Sequence, residues 1–245
     1  MSGHRFYNPN LASGKLSPEE SHHATDVLRL RSGDSAAVFD GKGNEARIRI
    51  TNVYADEVSY QALSTNRTPP PSYRIRFGQA LIKPAGMDLL IQKLTEFGVS
   101  EIWPIISERS VSKPSGEKRI SQRWDSIALS ACKQSGQNWL PKIHEASPLD
   151  AFLSSPDLAP PTGRIIGSLQ PEAKPLPALM KGFRDSKGSA LDLLIGPEGD
   201  FSPAEIGRAR SAGFLPASLG PLVLRSETAS IFVSAALHYD LNLSH

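Results

Sequence analysis

The chain has 245 residues, 39% of them hydrophobic, which is enough apolar material for one large or two modest domains, each with its own core. No stretch approaches the ~20 apolar residues that cross a bilayer, and the amino terminus runs on into polar residues, so a soluble, unsecreted, cytoplasmic protein without membrane contact is expected. A net charge of +2 does not by itself indicate a nucleic-acid partner, and the single cysteine, Cys132, has no partner for an internal disulfide or a metal-ligand spacing.

In chain order, Ser17-Pro18-Glu19-Glu20 reads as a capping box, with Ser17 as N-cap, Pro18 first in the helix and Glu20 as the reciprocal acceptor, opening a short helix to about Leu28. Residues 36–39 and 45–50 read as strands joined through Asp40-Gly41-Lys42-Gly43, with Ala46, Ile48 and Ile50 alternating against Arg47 and Arg49. A further strand over 58–63 completes the pattern of a small β-barrel, too small for an elaborate catalytic site, so binding is its expected task. Thr68-Pro69-Pro70-Pro71-Ser72 excludes helix and central strand, and it sets the expected domain limits at 1–70 and 73–245.

Beyond the prolines the period changes. A strand over 75–82 precedes Met87, Leu90, Ile91, Leu94 and Phe97 at helical spacing, with Gly98 as the stop, and a strand follows at 101–106. Trp124, Ile127, Ala128 and Ala131 mark a second amphipathic helix, and apolar runs recur at 164–169 and 191–195, which together predict a parallel sheet flanked by helices. The proline-rich stretches 154–162 and 171–177 are expected to be surface loops. Positive charge concentrates mid-chain, where residues 74–142 hold 11 basic and 6 acidic side chains. Arg109, Lys113, Lys118, Arg119 and Arg123 gather there around a Pro-Ser-Gly loop, as either a solvated face or a phosphate-binding patch.

Neither the Gly-x-Gly-x-x-Gly fingerprint nor a Walker loop is present, which removes most support for dinucleotide and nucleotide triphosphate enzymes. Instead Leu193-Leu194-Ile195-Gly196-Pro197-Glu198-Gly199-Asp200-Phe201-Ser202-Pro203-Ala204-Glu205 runs from a strand through an open glycine turn into a capped helix. Such a turn lets main-chain groups approach a flat ligand, although it also fits a tight turn with a helix cap. The second segment, Leu219-Gly220-Pro221-Leu222-Val223-Leu224-Arg225-Ser226-Glu227-Thr228-Ala229, places Arg225 and Glu227 after an apolar stretch, where charges pair with each other or meet a ligand.

These two segments resemble the cofactor loops of SPOUT-class methyltransferases. His22-His23, Val27 to Asp34, Gln92-Lys93-Leu94-Thr95-Glu96-Phe97-Gly98 and Ser107-Glu108-Arg109-Ser110 extend the resemblance over nearly the whole chain to one family, the E-type 16S ribosomal RNA uracil-N3 methyltransferases. The resemblance implies an α/β fold with a PUA-like N-terminal barrel and a SPOUT domain knotted as a trefoil, S-adenosylmethionine as cofactor, a homodimer that completes the pocket, no metal, and 16S ribosomal RNA or the small ribosomal subunit as partner. Position by position, it implies cofactor binding by Leu169, Ile195, Gly196, Pro197, Glu198 and Gly199, and by Leu219, Gly220, Leu224, Arg225 and Thr228. It suits Arg5, Arg29 and Arg31 as RNA phosphate contacts, with Arg109 and Lys113 from the mid-chain patch.

Uracil N3 carries a proton at neutral pH, so attack on a methyl group needs a base or a nearby cation. Arg225 is the preferred electrostatic stabiliser and Glu198 the alternative, as base or orienting acceptor. The target base must be unpaired or extruded to present N3. The chain departs from the family at Lys133-Gln134-Ser135-Gly136-Gln137, where an acidic residue and an arginine are common, and at Asp200, where glycine is common; Lys133 is expected to offer a compensating phosphate contact. These departures keep open a noncatalytic RNA-binding assembly factor, and a methyltransferase acting on another RNA remains a second alternative.

Overall fold

The computed structural model describes residues 3–54, 57–110, 117–155, 163–185 and 189–242. Contacts divide the chain into two units, Met1–Pro70 with Leu129–Leu140, and Pro71–Ala128 with Pro141–His245.

The first unit contains β1 (Arg5–Tyr7), α1 (Pro18–His22), β2 (Ser35–Phe39), β3 (Asn44–Tyr54) and β4 (Glu57–Arg67). The strands form one sheet in the order β1-β2-β3-β4, with β1 parallel to β2 and the other pairs antiparallel. Alternation along β3 turns Ala46, Ile48 and Ile50 into a core with Phe6, Val38 and Val58, and leaves Arg47 and Arg49 exposed on the opposite face. The Ser17 hydroxyl caps α1 by accepting from the Glu20 N–H at 3.2 Å. The reciprocal half of the expected box is absent, because the Glu20 carboxylate accepts from the Tyr7 N–H at 3.3 Å and pairs with Lys133. After five residues the helix widens into a π-turn over His23–Val27, and the chain leaves through Arg29 at φ 56°.

Leu129–Leu140 covers the outward side of β1 and β2. Arg5 donates to the Cys132 carbonyl at 2.6 Å and to Asn138, pairs with Glu45 at 3.0 Å, and stands 4.6 Å from the centre of the Phe39 ring. Gly43, at φ 94°, answers to the same segment: a Cβ there would lie 2.5 Å from Trp139 Cζ2.

The second unit follows the β/α alternation. It comprises β5 (Arg74–Ala80), α2 (Pro84–Glu96), β6 (Glu101–Ile106), α3 (Glu117–Ser135, whose last residues count with the first unit), β7 (Lys142–Ile143), β8 (Ser147–Pro148), α4 (Leu149–Leu153), β9 (Gly163–Gly167), β10 (Lys174–Pro175), α5 (Leu176–Asp185), β11 (Ala190–Ile195), α6 (Pro203–Ser211), β12 (Leu215–Ser218) and α7 (Ser226–Asn242). The sheet order is β10-β12-β9-β11-β5-β6-β7, with β8 also against β6, and every pair is parallel. The expectation of a loop over 171–177 is corrected: Lys174–Pro175 pairs with β12 at the sheet edge, where proline lacks no ladder partner, and α5 starts at Leu176. Of the other proline-rich stretch, residues 156–162 lie outside the described residues.

β11 is central and wholly buried. Its apolar run contains Asp192, which takes a two-pronged ion pair from Arg76 of β5 at 2.7 and 2.6 Å, with Arg164 Nε of β9 at 3.5 Å. A charge so deep persists only when paired and hydrogen-bonded, and this pair joins the register partners Asp192 and Arg76 of β11 and β5. Because the strands are parallel, the carboxyl ends of β5, β9, β11 and β12 share one edge, and the loops leaving them converge.

Candidate active site

At that edge lies a cleft of about 430 Å³. Its walls are Gly167 to Gln170 after β9, Ile195 to Glu198 and Asp200 after β11, and Ser218 to Ser226 with Ala229 after β12. The two glycine segments thus stand side by side around one hollow. A buried polar network joins them to β5: Gln79 Nε2 donates to the Ser226 hydroxyl at 3.0 Å and to the Ala80 carbonyl at 2.8 Å, Ser226 donates to the Gly196 carbonyl, and Ser230 donates to Gln79 Oε1. Sequence reasoning missed Gln79, Ser226 and Ser230; the available signal was a glutamine inside a strand together with serines four apart on α7.

The loop after β11 has little room for change. A Cβ at Gly196 would sit 3.2 Å from Asp200 Oδ1 and from the Phe201 nitrogen, and in the segment after β12 Gly220 holds φ 131°. Asp200 is itself left-handed at φ 59°, and its Oδ1 accepts from the Phe201 N–H at 2.7 Å. That conformation explains the fitness of glycine at this position, and aspartate meets it through its own local hydrogen bond. The expected capping box of α6 is present, with the Ser202 hydroxyl and Glu205 carboxylate exchanging main-chain hydrogen bonds at 3.3 and 2.8 Å. Glu205 does more than cap. Its other oxygen accepts from the Glu108 N–H at 3.0 Å, while Arg109 Nη1 donates to the Gly199 carbonyl at 2.9 Å, so the 107–110 turn holds the end of the glycine loop that enters α6.

Residues 68–238 match the profile of a family described as RNA methyltransferase domain, and residues 16–58 match an RNA methyltransferase PUA domain. The chain is 33% identical over 217 residues to the ribosomal RNA small subunit methyltransferase E of Mesomycoplasma hyopneumoniae, spanning 84% of this chain and 86% of the relative. The chain belongs to the family of ribosomal RNA small subunit methyltransferase E. The Bacillus subtilis member is 29% identical over 93% of this chain and 90% of its own length. Among solved structures, the Neisseria gonorrhoeae methyltransferase E bound to S-adenosyl methionine is similar at a TM-score of 0.84 and 30% identity, covering 96% of each chain. A Legionella pneumophila methyltransferase in complex with the bound cofactor SAM is similar at 0.83 and 33%, covering 95% of this chain and 96% of that one. The fold is accordingly mixed α/β, a PUA-like N-terminal domain followed by an RNA methyltransferase domain.

In this methyltransferase the residues named from sequence fall as follows. Leu169, Ile195, Gly196, Pro197, Glu198, Leu219, Gly220, Leu224 and Arg225 line the cleft. Gly199 and Thr228 lie off its walls: the Gly199 carbonyl is held by Arg109, and Thr228 is exposed in the first turn of α7. Arg225 and Glu198 are both exposed at the cleft, and among the described residues no ion pair joins Arg225 to Glu227 or to any other carboxylate. Leu169, Leu222 and Val223 stand 64%, 75% and 76% exposed around it.

The expected phosphate contacts divide. Arg29 and Arg31 are exposed. Arg5 is corrected, since its side chain is 9% exposed and engaged by Cys132, Asn138 and Glu45. Lys133 is corrected likewise, since it neutralises the buried Glu20. Gln137, the other departure, accepts from the Trp139 N–H at 3.1 Å and shapes the turn. Arg109 clamps Gly199 and Arg123 pairs with Asp88, while Lys113 and the side chains of Lys118 and Arg119 lie outside the described residues.

Proposed function

We propose that this chain transfers a methyl group from S-adenosylmethionine to N3 of a uridine in 16S ribosomal RNA, in the cleft between its two glycine segments. The observation that carries this reading is the convergence of both segments on one hollow at the carboxyl edge of the sheet. Its size falls within the range of small-molecule sites, and its walls are main chain and apolar side chains with few charges. Glycine at 196 avoids a Cβ pressed against Asp200 and Phe201 of its own loop, and glycine at 220 permits the left-handed turn of the second segment. These features fit an adenosine moiety held by the main chain of residues 196–198 and 219–224.

The bound cofactor supplies an electrophilic methyl group on a sulfonium. The protein must then align the attacking nitrogen and manage its proton. Arg225, exposed at the cleft without an acidic partner among the described residues, stabilises negative charge developing on the uracil ring. Glu198 accepts the N3 proton or orients the base. Leu169, Leu222 and Val223 exclude water once substrate covers them.

Two further features belong to this reading. The domain is a trefoil knot, supported by α7 returning from the sheet edge to bond Gln79 of β5 through Ser226 and Ser230. The working unit is a homodimer, supported by a second hollow of about 530 Å³ that shares Ser218, Leu219 and Gly220 with the cleft and is faced by Met180, Phe232 and Tyr239. The site of action is the cytoplasm, where small subunits assemble.

The deciding experiment is mass spectrometry of ribosomal RNA from a deletion strain. One N3-methyluridine should vanish from 16S ribosomal RNA and return with the wild-type gene but not with Arg225→Ala; intact 16S methylation with a loss in transfer RNA would redirect the substrate. Calorimetry showing no S-adenosylmethionine binding would leave the noncatalytic alternative standing.

A further inference from the structure

Two arginines in the first unit have been given no task. Arg47 and Arg49 lie two residues apart on the outward face of β3, both exposed, and among the described residues neither has an ion pair or hydrogen-bond partner through its side chain. Their cross-strand neighbours are uncharged: Arg49 is flanked by Ser35 on β2 and Gln61 on β4, and Arg47 by Ala37 and Ser64. An acid directly across a strand would offset such a charge. Neither arginine faces one.

The reason Arg5 is lost to solvent also marks where the open face begins. Arg5, Ala37, Arg47 and Ser64 occupy one cross-strand row, and the 129–140 segment covers that row at its Arg5 end. Glu45, the acid on β3 nearest to Arg47 on this face, is held by Arg5. At the other end, the turn carrying Arg31 is fastened to β3, with Gly33 N–H donating to the Ile50 carbonyl, Ile50 N–H to the Asp34 carbonyl and Ser32 to the Thr51 carbonyl. Asp34, the acid in that turn, accepts from the Arg31 main-chain N–H at 2.7 Å. Arg29 precedes the turn and is exposed. Arg29, Arg31, Arg47 and Arg49 are thus all exposed, with Glu45 held by Arg5 and Asp34 hydrogen-bonded within its own turn.

We infer that the outward face of β3, with Arg47 and Arg49 at its centre and the Arg29–Arg31 turn at its end, binds the phosphate backbone of the RNA substrate. This rests on the RNA methyltransferase reading and extends the Arg29 and Arg31 phosphate contacts expected from sequence to the sheet face that carries Arg47 and Arg49. Arg47 and Arg49 are roughly 7 Å apart along the strand, a spacing that allows each to meet a successive phosphate of one strand. The flanking Ser35, Gln61 and Ser64 can donate to phosphate or ribose oxygens without sequence preference, as positioning contacts do.

The test compares the wild-type protein with Arg47→Gln/Arg49→Gln, using Lys15→Gln, a cation already paired with Glu57 at 2.9 Å, as control. Probes are transcribed 16S ribosomal RNA and small subunits from a deletion strain, titrated over a range of salt. The double variant should bind RNA more weakly, with the slope of log K against log salt reduced by about 1.4, or ~0.7 per phosphate contact on a single strand. Cofactor affinity and kcat at saturating RNA should hold while KM for RNA rises. Unchanged affinity and slope in a double variant, beside an active wild type, overturns the surface alone. A wild type that neither binds nor methylates RNA overturns the functional reading and this inference together. Normal binding to free RNA with lost binding to subunits assigns the face to a ribosomal protein, and also overturns it.

Discussion

Arg225, Glu198 and Asp200 are the charged side chains in the cleft wall, and of these Asp200 is turned to the Phe201 N–H of its own loop. If Arg225 stabilises the uracil anion, Arg225→Ala should lower single-turnover methylation about 100-fold or more with cofactor Kd within a few-fold of wild type, because the interaction exists only as charge develops. Arg225→Lys should recover part of the rate, keeping the charge but not the planar fork. Equal turnover in all three would remove Arg225 from the chemistry. The glycine positions were legible from sequence because a strand running into Gly-Pro-x-Gly has few structural explanations. The fates of Arg5 and Lys133 were not, since counting charges does not reveal which of them a carbonyl or a buried carboxylate has already claimed.

The elements around the cleft are held by a few polar side chains with two partners each. Glu205 bridges the Ser202 and Glu108 N–H groups, so Glu205→Ala strips two partly or wholly buried donors of their acceptor, at roughly 1–3 kcal/mol each. The expected result is a lower melting temperature and a weaker cofactor Kd, with Glu205→Gln intermediate because one oxygen acceptor survives; an unchanged Kd would confine Glu205 to helix capping. Gln79→Leu makes a parallel case on the other wall, leaving Ser230 without its acceptor and Ser226 with the Gly196 carbonyl alone, and loosening α7 against β5. Denaturant titration should show that loss, and a neutral result would mean the serines re-pair locally. At this scale the α6 start was readable because its box is local. The same motif at Ser17 misled because Glu20 had tertiary partners, and β10 with α5 was hidden because a proline pair looks like loop until an edge strand takes it.

Stability of the whole molecule should carry an acid limb from Glu101, at the start of β6. Burial alone would raise this carboxyl above its ordinary 4.5, but hydrogen bonds from His144 at 2.9 Å and from Arg74, with the Arg74 charge and Trp103 Nε1, lower it to about 2. Since the folded value lies below the unfolded one, the ionised group contributes stability above the ordinary carboxylate range, and that contribution fades as pH falls from roughly 5 towards 2. Glu101→Gln should flatten this limb in denaturant midpoints measured against pH, and an unaltered limb would place the acid sensitivity elsewhere. The parallel sheet and its alternation were legible, since they follow from the spacing of apolar runs and turns. The assignment of Leu129–Leu140 to the first unit was not, because no local pattern announces where the end of a helix will pack.

That last feature limits how the protein can be taken apart. A polypeptide stopping at the triple proline lacks Cys132, Asn138 and Trp139, so Arg5 would be stripped of two acceptors and the cover over Phe39 and Gly43 would be missing. The amino-terminal module is therefore discontinuous in the gene. Grafting it between relatives calls for exchanging a short downstream cassette along with it, and a swap at the prolines alone should give an insoluble chimera.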